Sequence, residues 1–382
     1  MKIAVFGAAG LVGAEVVSYL DSVGRSVVPI VRDLGSAWSL IRSGREIRVA
    51  DLRDQVSTQA ALRDCTHVVN CALGDGADLV TIAENVTRSC SEMKIKRLVH
   101  FSSVTVYGDL LKQGILVESA RGRPQPKSYA GYKLQQDDIV ERAHNAGLSS
   151  VVLCIPHVIG PESRFVRHVA DSIKRRSLVL IDGGIAPVGF VDVRNVALAV
   201  DSALSTDAAD GKRVFITNGD NVSWGELVRA VSREFGLDSS VIRDLPSDSP
   251  LLRESPSRSM SALVRALVNS QELRAAIRGT WLGNLVKASA VRLRRGEQKE
   301  VARSPIQGDV TVPAASSMDT VLCELQSRRC QFSSARAVEI LGFRSAVDFA
   351  SSMRAFGKWR ATVLGVGSPF DQLGELISQS AP

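Results

Sequence analysis

The sequence predicts an α/β fold: a doubly wound parallel sheet followed by a smaller, mainly helical C-terminal region. Three observations predict it. The chain opens with a short apolar strand at residues 2–7 that ends in glycine. Helical apolar spacing follows over residues 11–22, and a second apolar run lies at 27–31. Strand, helix and strand within about 30 residues form a βαβ unit, which implies parallel strands and a right-handed crossover.

The alternation of strands and helices continues over roughly the first 220 residues. Further strand-like runs occur at 47–50, 67–72, 98–102, 151–155 and 214–217. Helical stretches separate most of them, at 78–92, 130–145 and 192–204. This order is typical of a Rossmann-type sheet with helices on both faces.

The chain changes character after this region. Residues 223–236 and 261–294 have helical spacing, 245–259 and 304–318 have loop composition, and a last helical region begins near Ser333. We therefore predict two domains. The NAD(P)-binding Rossmann domain comprises residues 1–160 and about 186–220, and the substrate-binding region comprises about 161–185 and 221–382.

Composition narrows the class of protein. Apolar residues make up 45% and charged residues 23% of the 382 residues, as in soluble globular proteins. The N-terminus lacks a secretory pattern, and no apolar run reaches the roughly 20 residues of a spanning helix. The six cysteines form no Cys-x-x-Cys pair, and the five histidines show no metal-ligand spacing. We predict a cytoplasmic protein with reduced thiols, no integral membrane segment and no metal.

The net charge of +7 is concentrated in one segment. Residues 261–303 hold nine Lys/Arg and three Glu, which argues against a general nucleic-acid surface. Leu273, Ile277 and Trp281 share one face of the predicted helix there. A packed amphipathic helix with solvated arginines is the favoured interpretation. Contact with a phosphorylated substrate or an anionic membrane surface is the alternative.

The first strand-to-helix turn has the composition of a dinucleotide site. Glycine permits a tight bend at its first position, close approach of a pyrophosphate at its second and close helix packing at its third. The following helix N-terminus presents free amides to the phosphates. The residues predicted to bind the dinucleotide here are Gly7, Ala9, Gly10, Leu11, Val12 and Gly13.

Residues at the ends of the next strands bear on which dinucleotide binds. Arg32 follows the second strand, where an arginine pairs with the 2′-phosphate of NADP and an acidic residue binds the ribose of NAD. We favour NADP(H), with NAD(H) and a solvated Arg32 beside Asp33 as the alternative. Asp51 and Leu52 end the third strand; Asp51 either contacts the adenine or is an exposed turn acid.

Three further residues suit hydride transfer to a carbonyl. Ser103 follows the strand at 98–102, and Tyr129 and Lys133 lie four apart on one face of the helix at 130–145. A tyrosine can protonate the alkoxide that hydride transfer leaves, and a serine can orient the substrate oxygen. A shift of about three in a tyrosine pKa is roughly 4 kcal/mol, which one ammonium at about 4 Å supplies at an effective dielectric of about 20. Tyr-x-x-x-Lys alone also occurs on many surface helices.

Together with the glycine turn, these motifs resemble the extended short-chain dehydrogenase/reductase superfamily. That superfamily includes nucleotide-sugar epimerases and dehydratases, and reductases of the 3β-hydroxysteroid and dihydroflavonol type. The resemblance covers about residues 1–235 and resumes over 332–359. It implies that Ser103, Tyr129 and Lys133 are catalytic, with Lys133 also binding the cofactor. It further implies a homodimer built from two helices of each Rossmann domain.

The resemblance implies roles for other positions as well. Asn85 matches the family's helix asparagine, and the segment 153–161, with Pro156, resembles one that closes over the nicotinamide. Cys71 and Ala72, which end the strand at 67–72, are further predicted cofactor contacts. Residues 190–193 with 195–196 resemble the later strand-to-helix signature.

Departures from the family pattern bear on the substrate. Nucleotide-sugar enzymes usually carry Arg where this chain has Cys154, and Asn where it has His157. The residues after Ser103 include no Asp-Glu pair, so dehydration is the least favoured reaction. Thr105, His157 and Arg164 are candidate substrate contacts by position, and His157 is equally interpreted as a pocket wall.

The leading hypothesis is an NADPH-dependent reduction of a sugar-like or other cyclic ketone. The first alternative is a nucleotide-sugar epimerase that retains NAD. The second is a non-catalytic NADP-binding regulatory protein, which the presence of both Tyr129 and Lys133 disfavours. The predicted partner is a small-molecule substrate, with no nucleic acid.

Overall fold

A computed structural model describes residues 1–41, 44, 46–112, 114–253 and 318–363. The strands of this part of the chain are Lys2–Phe6 (β1), Ser26–Val31 (β2), Arg48–Val49 (β3), His67–Asn70 (β4), Arg97–Ser103 (β5), Ile115–Leu116 (β6), Ser150–Ile155 (β7), His157–Ile159 (β8), Val179–Ile181 (β9), Phe190–Asp192 (β10), Arg213–Phe215 (β11), Arg243–Leu245 (β12) and Gln331–Phe332 (β13). Seven of them form one parallel sheet in the order β3-β2-β1-β4-β5-β7-β11.

Helices cover both faces of this sheet. The α-helices of the described residues are Leu11–Ser22 (α1), Trp38–Ile41 (α2), Gln55–Ala61 (α3), Asp78–Glu92 (α4), Tyr129–Asn145 (α5), Arg164–Lys174 (α6), Val193–Ser205 (α7), Trp224–Phe235 (α8), Pro250–Arg253 (α9), Thr320–Gln326 (α10), Ala335–Leu341 (α11) and Phe349–Val363 (α12). Alternate residues of β1 separate the two faces. Ile3 and Val5 belong to the core under α1 and α7, whereas Ala4 and Phe6 belong to the core under α4. The predicted Rossmann-type fold is confirmed.

The order of the strands locates a binding crevice. From β1 the chain moves outward to β2 and β3, then returns to the other side of β1 as β4. Helices leave β1 and β4 on opposite faces, so the carboxyl ends of these two strands border a crevice. The glycine turn after β1 lies at this point.

Most predicted elements agree with the structure to within a few residues. Helices α3 and α6 and strand β6 were not predicted. Further differences lie in the C-terminal region. A four-residue helix, α9, lies within 245–259, which we predicted to be a loop, because Pro250 suits the first position of a helix. The helix at Thr320–Gln326 was not predicted. The basic helix predicted at 261–294 lies outside the described residues.

A further hydrophobic core, besides those on the two faces of the sheet, joins three helices beyond the sheet. Val169 of α6, Trp224 of α8 and Phe356 of α12 are each buried within it. Helix α8 is well delimited: Ser223 and Glu226 form a capping box, and Gly236 ends the helix in a left-handed conformation. Most of this core lies within the residues predicted to be the substrate-binding region, but Ile159, Val188 and Phe190 come from the predicted Rossmann domain. The domain boundaries themselves stay a prediction.

Side-chain amides fix the segment before α12 to the sheet. The Asn195 Oδ1 accepts hydrogen bonds from the backbone N–H groups of Ala346 (3.0 Å) and Val347 (3.1 Å). The Asn218 Nδ2 donates to the Val347 carbonyl at 2.8 Å. The Ser352 hydroxyl donates to the buried Asp192 carboxylate at 2.6 Å. Helix α12 is therefore anchored to the carboxyl end of β10 and the start of α7.

The chain divides into two compact units, residues 1–245 with 322–382, and residues 246–321. The first unit contains the sheet and the three hydrophobic cores described above. In the second, the described residues include helix α9. Within the described ranges, no helix is long and apolar enough to cross a membrane.

Candidate active site

The glycines of the first turn are required by close backbone packing. Gly7 has a φ of +71°, and a Cβ there would lie 2.8 Å from the Cys71 carbonyl oxygen. A Cβ on Gly13 would overlap the Gly7 carbonyl oxygen. The Gly10 N–H donates to that same oxygen at 3.0 Å. The turn therefore forms a narrow cradle at the N-terminus of α1, which suits a pyrophosphate that approaches the backbone closely.

An exposed arginine lies at the outer end of this crevice. Arg32 directly follows β2, is exposed, and has no hydrogen bond or ion pair with the described residues. Asp51 is instead paired: Arg53 donates to its carboxylate at 2.8 Å and lies 3.4 Å from Asp78. The bonds from Arg53 hold the pKa of Asp51 below its usual value. Of the two interpretations of Asp51, the exposed turn acid fits this pairing.

Residues that follow β3 and β4 complete the crevice wall. The buried Asn85 of α4 donates to the Leu52 carbonyl at 2.9 Å and so fixes the loop after β3. After β4, Cys71 lies against Gly7, and the Ala72 N–H donates to the Asn70 Oδ1 at 3.2 Å. Cys71 and Ala72 thus lie against the glycine turn, and Leu52 lies in the loop after β3. Their contact with a cofactor stays a prediction.

The reaction centre forms where β5 ends and α5 begins. The Ser103 hydroxyl accepts hydrogen bonds from the Thr105 N–H (3.3 Å) and the Thr105 hydroxyl (3.0 Å). Tyr129, the first residue of α5, is 49% exposed, and it lies close enough to Ser103 for that side chain to act on its pKa. One turn later, Lys133 is buried, and its Nζ donates to the Phe101 carbonyl at 3.0 Å.

Burial dominates the electrostatics of both titrating groups. It lowers the pKa of Lys133 to about 8, and the nearby Asp137 carboxylate opposes this fall. Burial raises the pKa of Tyr129, and the nearby Ser103 side chain opposes that rise. We predicted that Lys133 lowers the pKa of Tyr129; the protein by itself does not show this lowering. The protein alone presents a neutral tyrosine that can donate a proton.

Comparison with known proteins identifies the family. Residues 3–216 match the model of the NAD dependent epimerase/dehydratase family. The chain belongs to this family. It is an NAD(P)-dependent enzyme of the extended short-chain dehydrogenase/reductase type, which confirms the resemblance deduced from the motifs.

Individual proteins are similar to this chain at low sequence identity. The chain is 26% identical over 285 residues to the uncharacterized protein YbjS of Escherichia coli (strain K12), with 69% of this chain and 83% of that protein aligned. It is similar to a nucleoside-diphosphate-sugar epimerase from Pseudomonas aeruginosa (TM-score 0.65, 18% identity, 95% and 98% of the two chains). It is also similar to a UDP-glucuronic acid 4-epimerase from Bacillus cereus in complex with NAD (TM-score 0.64, 17% identity, 95% and 99%).

An aromatic cluster follows β7. Pro156 separates β7 from β8, and the next residue, His157, stacks on Phe165 with ring centroids 4.1 Å apart. Phe165 in turn meets Trp224 edge to face at 5.9 Å. Burial lowers the pKa of His157 to about 4, so the ring is neutral near pH 7. The pocket-wall interpretation of His157 fits this environment.

The other two candidate substrate residues differ in position. Thr105 is brought to the reaction centre by its bonds to Ser103. Arg164 is the first residue of α6 and is exposed, with no partner among the described residues. Its role stays a prediction.

Sequence reasoning missed a group of buried polar residues behind the reaction centre. It consists of His100, Ser102, Asp137 and Arg213. One signal was available, because Asp137 lies four residues after Lys133 and therefore on the same helix face. The contribution of Arg213 depends on the pairing of β11 with β7, which no local pattern reveals.

Proposed function

We propose that this protein catalyses the NADPH-dependent reduction of a ketone to a secondary alcohol, and the reverse oxidation. The observation that carries the proposal is the convergence of Ser103, Tyr129 and Lys133 at the carboxyl end of β5, beside the glycine cradle. The cradle fits the diphosphate of a dinucleotide, because two of its positions admit no Cβ. When bound, the reduced nicotinamide supplies the hydride.

The chain's own residues would then orient and protonate the substrate. Ser103 donates a hydrogen bond to the carbonyl oxygen and holds its carbon toward the cofactor site. As the carbon accepts the hydride, the oxygen takes the Tyr129 hydroxyl proton, so the two additions balance. Lys133 stabilises the tyrosinate that remains.

Arg32 supports NADP(H) as the cofactor. It is exposed at the end of β2 and unpaired among the described residues, so its guanidinium is available to a 2′-phosphate. A guanidinium and a phosphate form strong, paired hydrogen bonds. NADP(H) also suits net reduction, in which the cofactor is exchanged at each turnover.

The wall at His157 supports a substrate without a diphosphate, such as a sugar-like or other cyclic ketone. His157 is neutral near pH 7 and stacked on Phe165, and Cys154 is buried. Neither side chain offers the positive charge or the amide that the family's diphosphate-binding positions usually carry.

A nucleotide-sugar epimerase that retains NAD is the second candidate. The similarity to a UDP-glucuronic acid 4-epimerase over 95% of this chain favours it. The same Tyr129 would then take the hydroxyl proton at one carbon and later return it to the oxygen. The hydride of that carbon would pass to bound NAD and return, with no net consumption of cofactor.

The compartment and the oligomer are further parts of the proposal. All six cysteines are free, which supports a reducing compartment such as the cytoplasm. Helices α4 and α5 pack against each other, and their outer face is exposed, as at Arg88 and Arg142. This face is therefore available for a homodimer of the family type. Light scattering on the purified protein tests the dimer.

The cofactor preference is tested by native mass spectrometry, followed by fluorescence titration with NADPH and NADH. We expect a protein that exchanges NADPH freely. Arg32→Ala should weaken NADPH binding at least about tenfold, since a charged hydrogen bond contributes about 1.5–3 kcal/mol. NADH binding should change little, and the exposed Arg63→Ala is the matched control.

Tightly retained NAD that is indifferent to Arg32→Ala would overturn the reductase and support the epimerase. Exchangeable NADPH with no turnover across ketone substrates would instead support a non-catalytic NADP-binding protein.

A further inference from the structure

A carboxylate is completely buried behind the reaction centre. Asp137 lies on α5, one turn after Lys133, and its side chain has no exposed surface. Its Oδ2 accepts a hydrogen bond from the Ser102 hydroxyl at 2.6 Å and another from the Arg213 Nη1 at 2.6 Å. Its Oδ1 is buried without a hydrogen-bond partner among the described residues. A carboxylate in this setting is costly unless it has a function or a strong partner.

Hydrogen bonds lead from the glycine turn as far as His100, which lies beside this carboxylate. The Ala72 N–H donates to the Asn70 Oδ1 at 3.2 Å, which fixes the orientation of that amide. The Asn70 Nδ2 must then donate to the His100 Nδ1, 3.3 Å away. Burial lowers the pKa of His100 well below its usual value, so the ring is neutral and carries its proton on Nε2. That nitrogen faces the Asp137 Oδ1 at 3.9 Å.

We propose that Asp137 is a positioning residue of the reaction centre, which holds the strand end that carries Ser103 and keeps Lys133 in its charged form. The first role acts through the bond from Ser102, the residue before Ser103. The second acts through charge, because Asp137 follows Lys133 by one helical turn on the buried side of α5. Arg213, from the edge strand β11, in turn holds the carboxylate in place.

The electrostatic surroundings of the two residues agree with this assignment. Burial alone depresses the pKa of Lys133, and Asp137 is the first group that opposes it. The titratable and charged groups around the pair are Cys71 after β4, His100 on β5, Tyr107 after β5, Tyr129 on α5, Cys154 on β7 and Arg213 on β11. Burial raises the pKa of Asp137, while Arg213 and Ser102 oppose that rise. Since the guanidinium at 2.6 Å remains charged, the carboxylate stays ionised as its counter-ion.

The assignment of a task to the charged Lys133 rests on the proposed function, but its charge can be measured without any substrate. Lysine labelled with ¹³C at Cε reports the protonation of Nζ by NMR, and Lys133→Met identifies the resonance. In Asp137→Asn we expect the Lys133 pKa to fall by about one, a tenfold loss of proton affinity, as for removal of a nearby opposite charge.

Two variants serve as controls. Asp137→Glu keeps the charge, and a cavity of about 280 Å³ lined by Asp137, Leu134 and Arg213 has room for one added methylene. Asp138→Asn removes the neighbouring, half-exposed carboxylate, which lies 3.6 Å from Arg121. Neither should move the Lys133 titration.

Asp137→Asn leaves Arg213 without its partner and can unfold the protein. The double variant Asp137→Asn/Arg213→Met removes both charges and should fold, while the Lys133 pKa should still fall. An unchanged Lys133 titration in either folded variant overturns the inference. A shifted titration in a protein that transfers no hydride supports the inference and rejects only the proposed function.

Discussion

The glycine turn and the reaction centre lie beside each other, but they are built in different ways. The turn uses backbone atoms of consecutive residues, and its specificity for shape comes from the absence of side chains at Gly7 and Gly13. The reaction centre uses side chains from β5 and α5, supported by Arg213 from β11. A site made of backbone tolerates changes around it, whereas a site made of buried charges depends on every partner.

The largest expected effect separates chemistry from binding. Tyr129→Phe removes the proton donor but leaves the glycine turn intact, so turnover should fall about 10²–10⁴-fold. NADPH affinity should stay within about twofold of the original. Steady-state kinetics and fluorescence titration measure the two, and Tyr132→Phe on the same helix is the control. Equal loss in both variants would mean that Tyr129 does not supply the proton.

The next effect reverses that pattern. A Cβ in Gly13→Ala would overlap the Gly7 carbonyl oxygen, so the turn must shift. We expect NADPH affinity to fall at least about tenfold and the free energy of unfolding to fall by about 1–3 kcal/mol. Gly24→Ala, whose Cβ meets nothing within 4 Å, should lower stability through its positive φ and leave affinity unchanged. NADPH binding as tight as in the original protein would contradict the cradle.

The smallest expected effect is on the free energy of unfolding, because the burial of Lys133 destabilises the native protein. The drop in the Lys133 pKa from 10.5 to about 8 corresponds to about 3 kcal/mol against folding at neutral pH. Lys133→Met removes this penalty and loses one hydrogen bond, so we expect a net gain of about 1–2 kcal/mol in unfolding free energy at pH 7, with turnover abolished.

The pH dependence of that gain gives a further check. Between pH 8 and 10.5 the unfolded chain binds more protons at Lys133 than the native protein does, so the stability of the original protein rises with pH. The advantage of Lys133→Met should therefore shrink from pH 7 to pH 10 in chemical denaturation. A constant difference would mean that the pKa of Lys133 is not lowered in the native protein.

What the sequence predicted follows the same division. The strand, turn and helix around Gly7 are local, so residue spacing alone located them. Ser103, Tyr129 and Lys133 belong to recognisable motifs, and the structure brings them together. Arg213 was missed because its link to Asp137 spans 76 residues of sequence and arises only when β11 joins the sheet.

The direction of the Tyr129 pKa could not be predicted for a related reason. A helical spacing of four places Tyr129 and Lys133 on one face, but the balance of burial and charge depends on the surrounding packing. The Lys133 ammonium donates to the Phe101 carbonyl, a contact that no spacing rule contains. Likewise, the stacking of His157 on Phe165, which fits the pocket-wall interpretation, could not be predicted from local spacing.

The anchoring of helix α12 has a consequence for how this protein can be divided. Asn195 and Asn218 satisfy their amides on the segment before α12, and Asp192 satisfies its buried carboxylate on Ser352. A fragment limited to residues 3–216, the stretch that the family model matches, would lack Asn218 and would leave the Asn195 Oδ1 without its bonds from residues 346 and 347. The Asp192 carboxylate would keep its bonds from Arg194 but lose the one from Ser352. A fragment used for expression or fusion therefore has to retain the residues through α12.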